Sequence, residues 1–185
     1  MGHLRMPGCY DGGGGVYSPG ATDARIANWH GQIAQRNAAG NTDRKEVWWY
    51  QIGPDSPLTW TLDDSLTTHA LAPTAAFVKN VRGWILWTTH NWVDGDPWAG
   101  TAWARNSGTF IYPSRTSDPS YLHPSLRLLA LHEGEVLYEY LMLVSAKDSA
   151  FAMQQAKRLA RGFFDVTADA ALFADVKAQL AGRLP

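Results

Sequence analysis

The sequence predicts an α/β fold, and three observations lead to it. Two short apolar runs, Glu46 to Ile52 (EVWWYQI) and Gly83 to Thr89 (GWILWTT), have the length and aromatic, β-branched content of buried strands. Leu71 to Val81 lies between them and reads as a helix. Beyond residue 124 the apolar residues recur at helical spacing to the C-terminus. Strand, helix, strand in that order is the pattern of a parallel βα unit joined by a right-handed crossover. We therefore expect Val47 to Ile52 and Trp84 to Thr89 to be parallel neighbours.

The elements follow in chain order. Residues 1–20 hold seven glycines and two prolines, which is loop composition. The run Gly12 to Gly15 does not fit the spacing of a dinucleotide-binding loop, and no strand and helix frame it. Residues 22–39 carry Ile26, Trp29 and Ile33 on one helical face, with Thr22 or Asp23 as cap and Gly40 as stop. The first strand closes at Gly53-Pro54, and the second runs into His90-Asn91-Trp92. Residues 93–124 are rich in Gly, Pro, Ser and Asp, with one strand-like piece at Thr109 to Tyr112. A connection of that length in a compact domain usually carries function. Pro124 suits a first helical turn. The helix after it is expected to bury Leu126, Leu129, Ala130, Leu137, Tyr140, Leu141 and Val144. Phe151, Ala152, Ala156, Leu159 and Phe163 mark the next helix, and Leu172, Val176 and Leu180 a third.

Bulk properties exclude several classes. At 185 residues one domain is the default. The net charge of -1 provides no basic stripe for phosphates, so no nucleic-acid partner is expected. No apolar run approaches the roughly 20 residues that span a bilayer, so no membrane partner is expected either. The N-terminus has no apolar signal core; the chain reads as soluble, and any export signal would lie upstream. Cys9 is the single cysteine, so no intrachain disulfide forms and cysteine usage is silent on compartment. His132-Glu133 begins like a zinc-binding helix motif, but position 136 is Val; no metal ligands and no cofactor are expected.

Nine Trp beside seven Tyr and six Phe is the unusual count. Trp84, Trp87, Trp92, Trp98 and Trp103 crowd one stretch, and Trp48 and Trp49 are adjacent. Such rings either pack a core or stack on the C–H faces of sugars. In barrel folds the groups that meet substrate sit where strands run into loops. Those positions here are Tyr50 and Gln51, then Trp87, His90, Asn91 and Trp92, with Asp94 and Asp96 just beyond. Aromatic faces with amide, imidazole and phenol tips match what a sugar needs. The acidic pairs give no strong catalytic signal. Asp63-Asp64 precedes a helix, where Asp caps and meets the helix dipole, and Asp94-Gly95-Asp96-Pro97 is a turn by composition.

The linked segments KEVWWYQIGP, GWILWTTHNW, DPW, TFIYP and HPSLRLLALHEGEVLYEYLML resemble, in order and spacing from about Lys45 to Val144, the catalytic domain of glycoside hydrolase family 123, also known as domain-of-unknown-function family 4091. More loosely, LRMPG near the start resembles the preceding strand of that domain. The resemblance implies strands six to eight of a TIM-type (β/α) barrel and its closing helix, with Arg127, Glu133 and Tyr138 as that helix's signature. Residues 1–145 would then be a partial barrel and 146–185 a C-terminal helical extension. It also implies an N-acetylhexosamine-containing glycan as partner and substrate-assisted cleavage. In that chemistry the 2-acetamido oxygen attacks the anomeric carbon, an Asp orients it and an adjacent Glu protonates the leaving oxygen.

No Asp-Glu dipeptide occurs in this sequence, so no catalytic residue is assigned and the isolated chain is expected to be inactive. Other departures bear on specificity. His69 and Phe77 stand where the family has an Arg and a Trp, Asn106-Ser107-Gly108 replaces Gly-Asp-Gly, and His132-Glu133-Gly134 replaces Arg-Glu-Gly. Three readings follow. The chain is the C-terminal portion of such a glycosidase, with an exposed sheet edge open to self-association. Alternatively it is a non-catalytic carbohydrate-binding or structural module. In the third it is an enzyme using Asp94 or Asp96 in a new way.

Overall fold

The computed structural model describes residues 19–39, 46–51, 58, 60–86, 88–92, 95–102, 106, 108–116, 118 and 120–184. The architecture is mixed α/β, with long helices and few short strands. Helix α1 spans Pro19–Ala38, strand β1 Trp48–Gln51, helix α2 Leu66–Val78 and strand β2 Gly83–Leu86. A single turn of 3-10 helix covers Pro97–Ala99. The short strands β3, Ile111–Tyr112, and β4, His123–Pro124, precede helix α3, Leu126–Ser145. Helix α4, Ser149–Leu159, leads into a hairpin of β5, Ala160–Gly162, and β6, Asp165–Val166, and helix α5 spans Ala170–Ala181. Among the described residues the strands form three separate two-stranded sheets, and no barrel closes.

β1 and β2 are parallel, in the register Trp48 to Gly83 through Gln51 to Leu86, with α2 as the crossover. The strand pair expected from the sequence is therefore present. Its two faces differ. Val47, Trp84 and Leu86 pack into a cluster with α1, α2 and the start of α3, and Trp84 meets Tyr138 of α3 edge to face at 6.2 Å. On the other face the Trp48 indole lies over Gly83, where an added Cβ would come within 2.8 Å of the ring. Trp48 stays 43% exposed there and Ile85 41%. Parallel sheets normally have both faces covered, and among the described residues this one is covered on a single face.

Helix starts are set by local chemistry. Ser65 caps α2, its Oγ accepting from Thr68 N at 3.1 Å, so the helix begins before Leu71 and holds Pro73 in its interior. Ser125 caps α3 in the same way through Leu128 N at 3.2 Å. Asp148 caps α4 through Phe151 N, and Asp169 caps α5 through Ala171 N and Leu172 N. Asp63 and Asp64 do not cap α2: the Asp64 carboxylate accepts instead from the backbone and hydroxyl of Thr61. Pro124 pairs with Ile111 in β4 rather than entering the helix, because Ser125 has taken the capping position.

The α3 stripe is rotated from the expectation. Its buried side is Arg127, Leu131, Gly134, Leu137, Leu141 and Val144, whereas Leu126 and Leu129 are exposed. Gly134 is the contact point with α2: a Cβ there would lie 2.2 Å from the Ala70 carbonyl oxygen. A second core joins Leu71, Leu137, Leu141 and Val144 to Ala152, Ala156 and Leu159 of α4 and to Val176 and Leu180 of α5. This core is continuous across Ser145. Phe163 lies in the hairpin turn after β5, not on α4, and packs into the first cluster. α1 begins at Pro19, ahead of the expected cap residues.

Candidate functional site

The chain leaving β2 does not run free. His90 bridges Thr109 in antiparallel fashion, and the amides of Phe110 and Ile111 both donate to Thr89 O, at 2.8 and 3.0 Å. Asn91 N donates to Gly108 O at 3.1 Å, and Thr109 Oγ1 returns a bond to Asn91 O at 3.0 Å. On the far side Ile111 and Tyr112 pair with Pro124 and His123. Residues 109–112 thus form the middle rung between the β2 loop and the entry to α3.

Of the residues singled out in the sequence, His90, Asn91 and Trp92 come together here. The rings of His90 and Trp92 meet edge to face at 5.9 Å. Trp92 is half-buried and its indole N–H donates to Ile111 O at 2.8 Å, so its polar tip is committed to backbone and its ring edge remains. His90 is exposed. Trp87 and Asp94 lie outside the described residues, as do the side chains of Tyr50 and Gln51, whose backbones end β1.

Asp96 is a turn residue. Its carboxylate accepts from Trp98 N at 2.9 Å and caps the 3-10 turn, and its backbone exchanges bonds with Thr101. Gly95, with φ of 142°, cannot be replaced without strain because an added Cβ would meet Thr101 O at 2.3 Å. This turn presents Trp98, whose indole N–H donates to Pro113 O at 3.2 Å.

Trp98 anchors an aromatic row that the sequence reading did not assemble. Tyr112 lies 4.8 Å from Trp98, and His123, opposite Tyr112 across the β3–β4 ladder, meets the same indole edge to face at 5.6 Å. Tyr121 continues the row at 4.8 Å from His123 and is 58% exposed. The Arg115 guanidinium sits over Trp98 at 4.7 Å from the ring centroid. The available signal was the alternation in TFIYP and YLHP, which places Tyr112 and His123 at paired positions only once the strands are known to be antiparallel.

One buried residue holds these loops in place. Arg127, at the start of α3, is 4% exposed. Its guanidinium donates to the carbonyls of Trp60, Asn106 (2.9 Å) and Thr109, and to the Tyr112 hydroxyl at 3.2 Å. Burial pushes this guanidinium below its ordinary range, while Tyr112 and then Asp64 favour its charged form. Asn106, wholly buried with φ of 61°, donates to Pro97 O and to the Tyr112 hydroxyl, tying the 3-10 turn into the same network. The route from Arg127 through Thr109 to Asn91 and His90 is continuous.

Among the described residues no three His, Cys, Asp or Glu side chains group to hold a metal, and no helix is long and apolar enough to cross a membrane. No sequence-family model matches the chain, and no curated protein matches it.

Proposed function

We propose that this chain is the C-terminal portion of a sugar-acting (β/α) barrel of the family 123 type, supplying aromatic and polar groups to a glycan site whose catalytic Asp-Glu pair lies outside it. The observation that carries the reading is the asymmetry of the β1–β2 pair. It has a βαβ crossover and helices on one face, while the opposite face leaves Trp48 and Ile85 uncovered. In a closed barrel that second face is the packed interior. Among the described residues neither strand has a further neighbour, and in the proposed barrel the outer edges of both would pair with its other strands. The loops at the C-terminal ends of the strands carry His90, Asn91 and Trp92, where barrel enzymes bind substrate.

The test is a titration of the purified chain with N-acetylgalactosamine, read by tryptophan emission, beside an assay on an aryl N-acetylgalactosaminide. Saturable binding that His90→Ala weakens, without turnover, is the expected result. A flat titration sinks the glycan reading. Turnover that Asp96→Asn removes would instead make this chain an enzyme in its own right. Asn can still cap the 3-10 turn, so that loss would not come from unfolding.

A further inference from the structure

Four side chains outside the His90–Trp92 loop form a surface that the reading above does not use. From Arg115 the row passes to Trp98 at 4.7 Å, to His123 at 5.6 Å and to Tyr121 at 4.8 Å. Three properties single it out. Arg115 and Trp98 are exposed and Tyr121 more so, which is an unusual placement for large rings beside one another. The row is fixed rather than draped: the 3-10 turn holds Trp98, the β3–β4 ladder holds His123, and the indole N–H is bonded to Pro113 O. Arg115 meets no carboxylate among the described residues, its described contact being the Trp98 ring. Asp118, the acidic residue nearest to Arg115 in sequence, is engaged by Ser120, whose hydroxyl and amide both donate to that carboxylate and hold it below its usual range.

We infer that this row is a subsite for an acidic sugar, a uronate residue of a glycan, with Arg115 receiving the carboxylate and Tyr121 the C–H face of a ring. The inference rests on the glycan reading and specifies its substrate class. Trp98 is covered by Arg115 and crowded by Tyr112, so its part is to hold the guanidinium in place. A guanidinium held over an indole loses little freedom when it binds, and its fork matches a carboxylate. Tyr121 has the open ring, and aromatic faces serve the apolar patches of pyranose rings. A neutral sugar would leave the charge of Arg115 unmatched, and a simple anion would leave Tyr121 unused.

The experiment is calorimetric titration of the full chain with a glucuronyl-glucose disaccharide, its glucosyl-glucose counterpart and polyglutamate, a disaccharide being long enough to meet both ends of the row. The uronate is expected to bind at least about tenfold more tightly than the neutral glycoside, the worth of one charge-assisted hydrogen bond. Arg115→Gln should erase that difference by bringing the uronate down to the affinity of the neutral glycoside, and Tyr121→Ala should weaken both sugars. Both positions are exposed, so the variants should keep the native circular dichroism. Equal affinity for the two glycosides in the native chain overturns the inference and leaves the glycan reading standing. Binding of neither sugar overturns the inference; if the N-acetylgalactosamine titration is flat too, the glycan reading falls with it. Polyglutamate binding as tightly as the uronate would replace the sugar with an acidic peptide and likewise overturn it.

Discussion

The helical layer and the loop layer of this molecule are held together by different forces. Where α2, α3, α4 and α5 meet, nine buried apolar residues from Leu71 to Leu180 form a continuous core, and each helix is capped by its own Ser or Asp. Cohesion there comes from area removed from water. Among its described residues the loop layer, 88–124, buries few apolar side chains, chiefly Ala102 and Phe110. It is held by backbone bonds across residues 109–112 and by one buried guanidinium. A layer built on apolar burial fails when its shape is spoiled. A layer built on hydrogen bonds fails when one shared donor is removed.

The sharpest break in the helical layer should come at Gly134. Ala at an exposed helical glycine would gain ~1 kcal/mol in helix propensity, and Val less. Here any Cβ meets the Ala70 backbone at 2.2 Å, and backbone cannot swing aside as a side chain can. Gly134→Val should cost about 3 kcal/mol or more, at the upper end of overpacking penalties. For a chain of this size that lowers the thermal midpoint by roughly 6–12 °C. Thermal denaturation followed at 222 nm measures it, and an unchanged midpoint would mean that α2 and α3 are not in backbone contact.

The sequence made these two layers legible to different degrees, for the same physical reason. Apolar periodicity reports burial, so the helices and the parallel pair could be read directly. It misjudged α3 because that helix buries a charge. With Arg127 counted as exposed, the apolar stripe is drawn through Leu126 and Leu129, and both of these face water. The loop layer is invisible to periodicity, since its order comes from carbonyls meeting a guanidinium and from residues such as Asn106 at positive φ. The grouping of His90, Asn91 and Trp92 was legible because a strand end is a position that sequence can mark. The row from Arg115 to Tyr121 was missed because its members join only through the β3–β4 pairing and the 3-10 turn.

The loop layer should break at Arg127. Arg127→Met keeps the apolar stem and removes the donors, leaving the buried carbonyls of Trp60 and Thr109 without this partner, while Asn106 O keeps its bond from Thr109 N. An unsatisfied buried group costs about 1–3 kcal/mol, and rearrangement of the loop offsets part of the total, so ~2 kcal/mol is expected. Location is the more telling readout. Amide exchange should rise at residues 108–112 and 89–91, while α4 and α5 stay protected. Arg127→Lys retains a charge but loses the fork, and it should fall between the two. Uniform loss of protection across all helices would show that the layers are one cooperative unit.

The smallest effect expected is at the join of α3 and α5, where Glu133 accepts from Lys177 at 2.5 Å. The Glu133 side chain is about half exposed, so the pair contributes under about 1 kcal/mol. The hydrogen bond from Lys177 and its charge hold the Glu133 carboxyl below its ordinary 4.5. A carboxyl whose pKa is lowered on folding gives stability that is present above the unfolded value and is lost as pH falls through the folded one. Acidification from about 4.5 downwards should therefore loosen α5 from α3 by this small amount in the native protein. Other carboxylates titrate in the same window, so the measurement is a difference. Glu133→Gln should lower stability at pH 7 by a few tenths of a kcal/mol. The gap between variant and native protein should then close as pH drops through the window. High salt should narrow the gap at pH 7 as well, because screening acts on an exposed pair. A gap that persists in acid would assign the loss to packing at position 133 rather than to its charge.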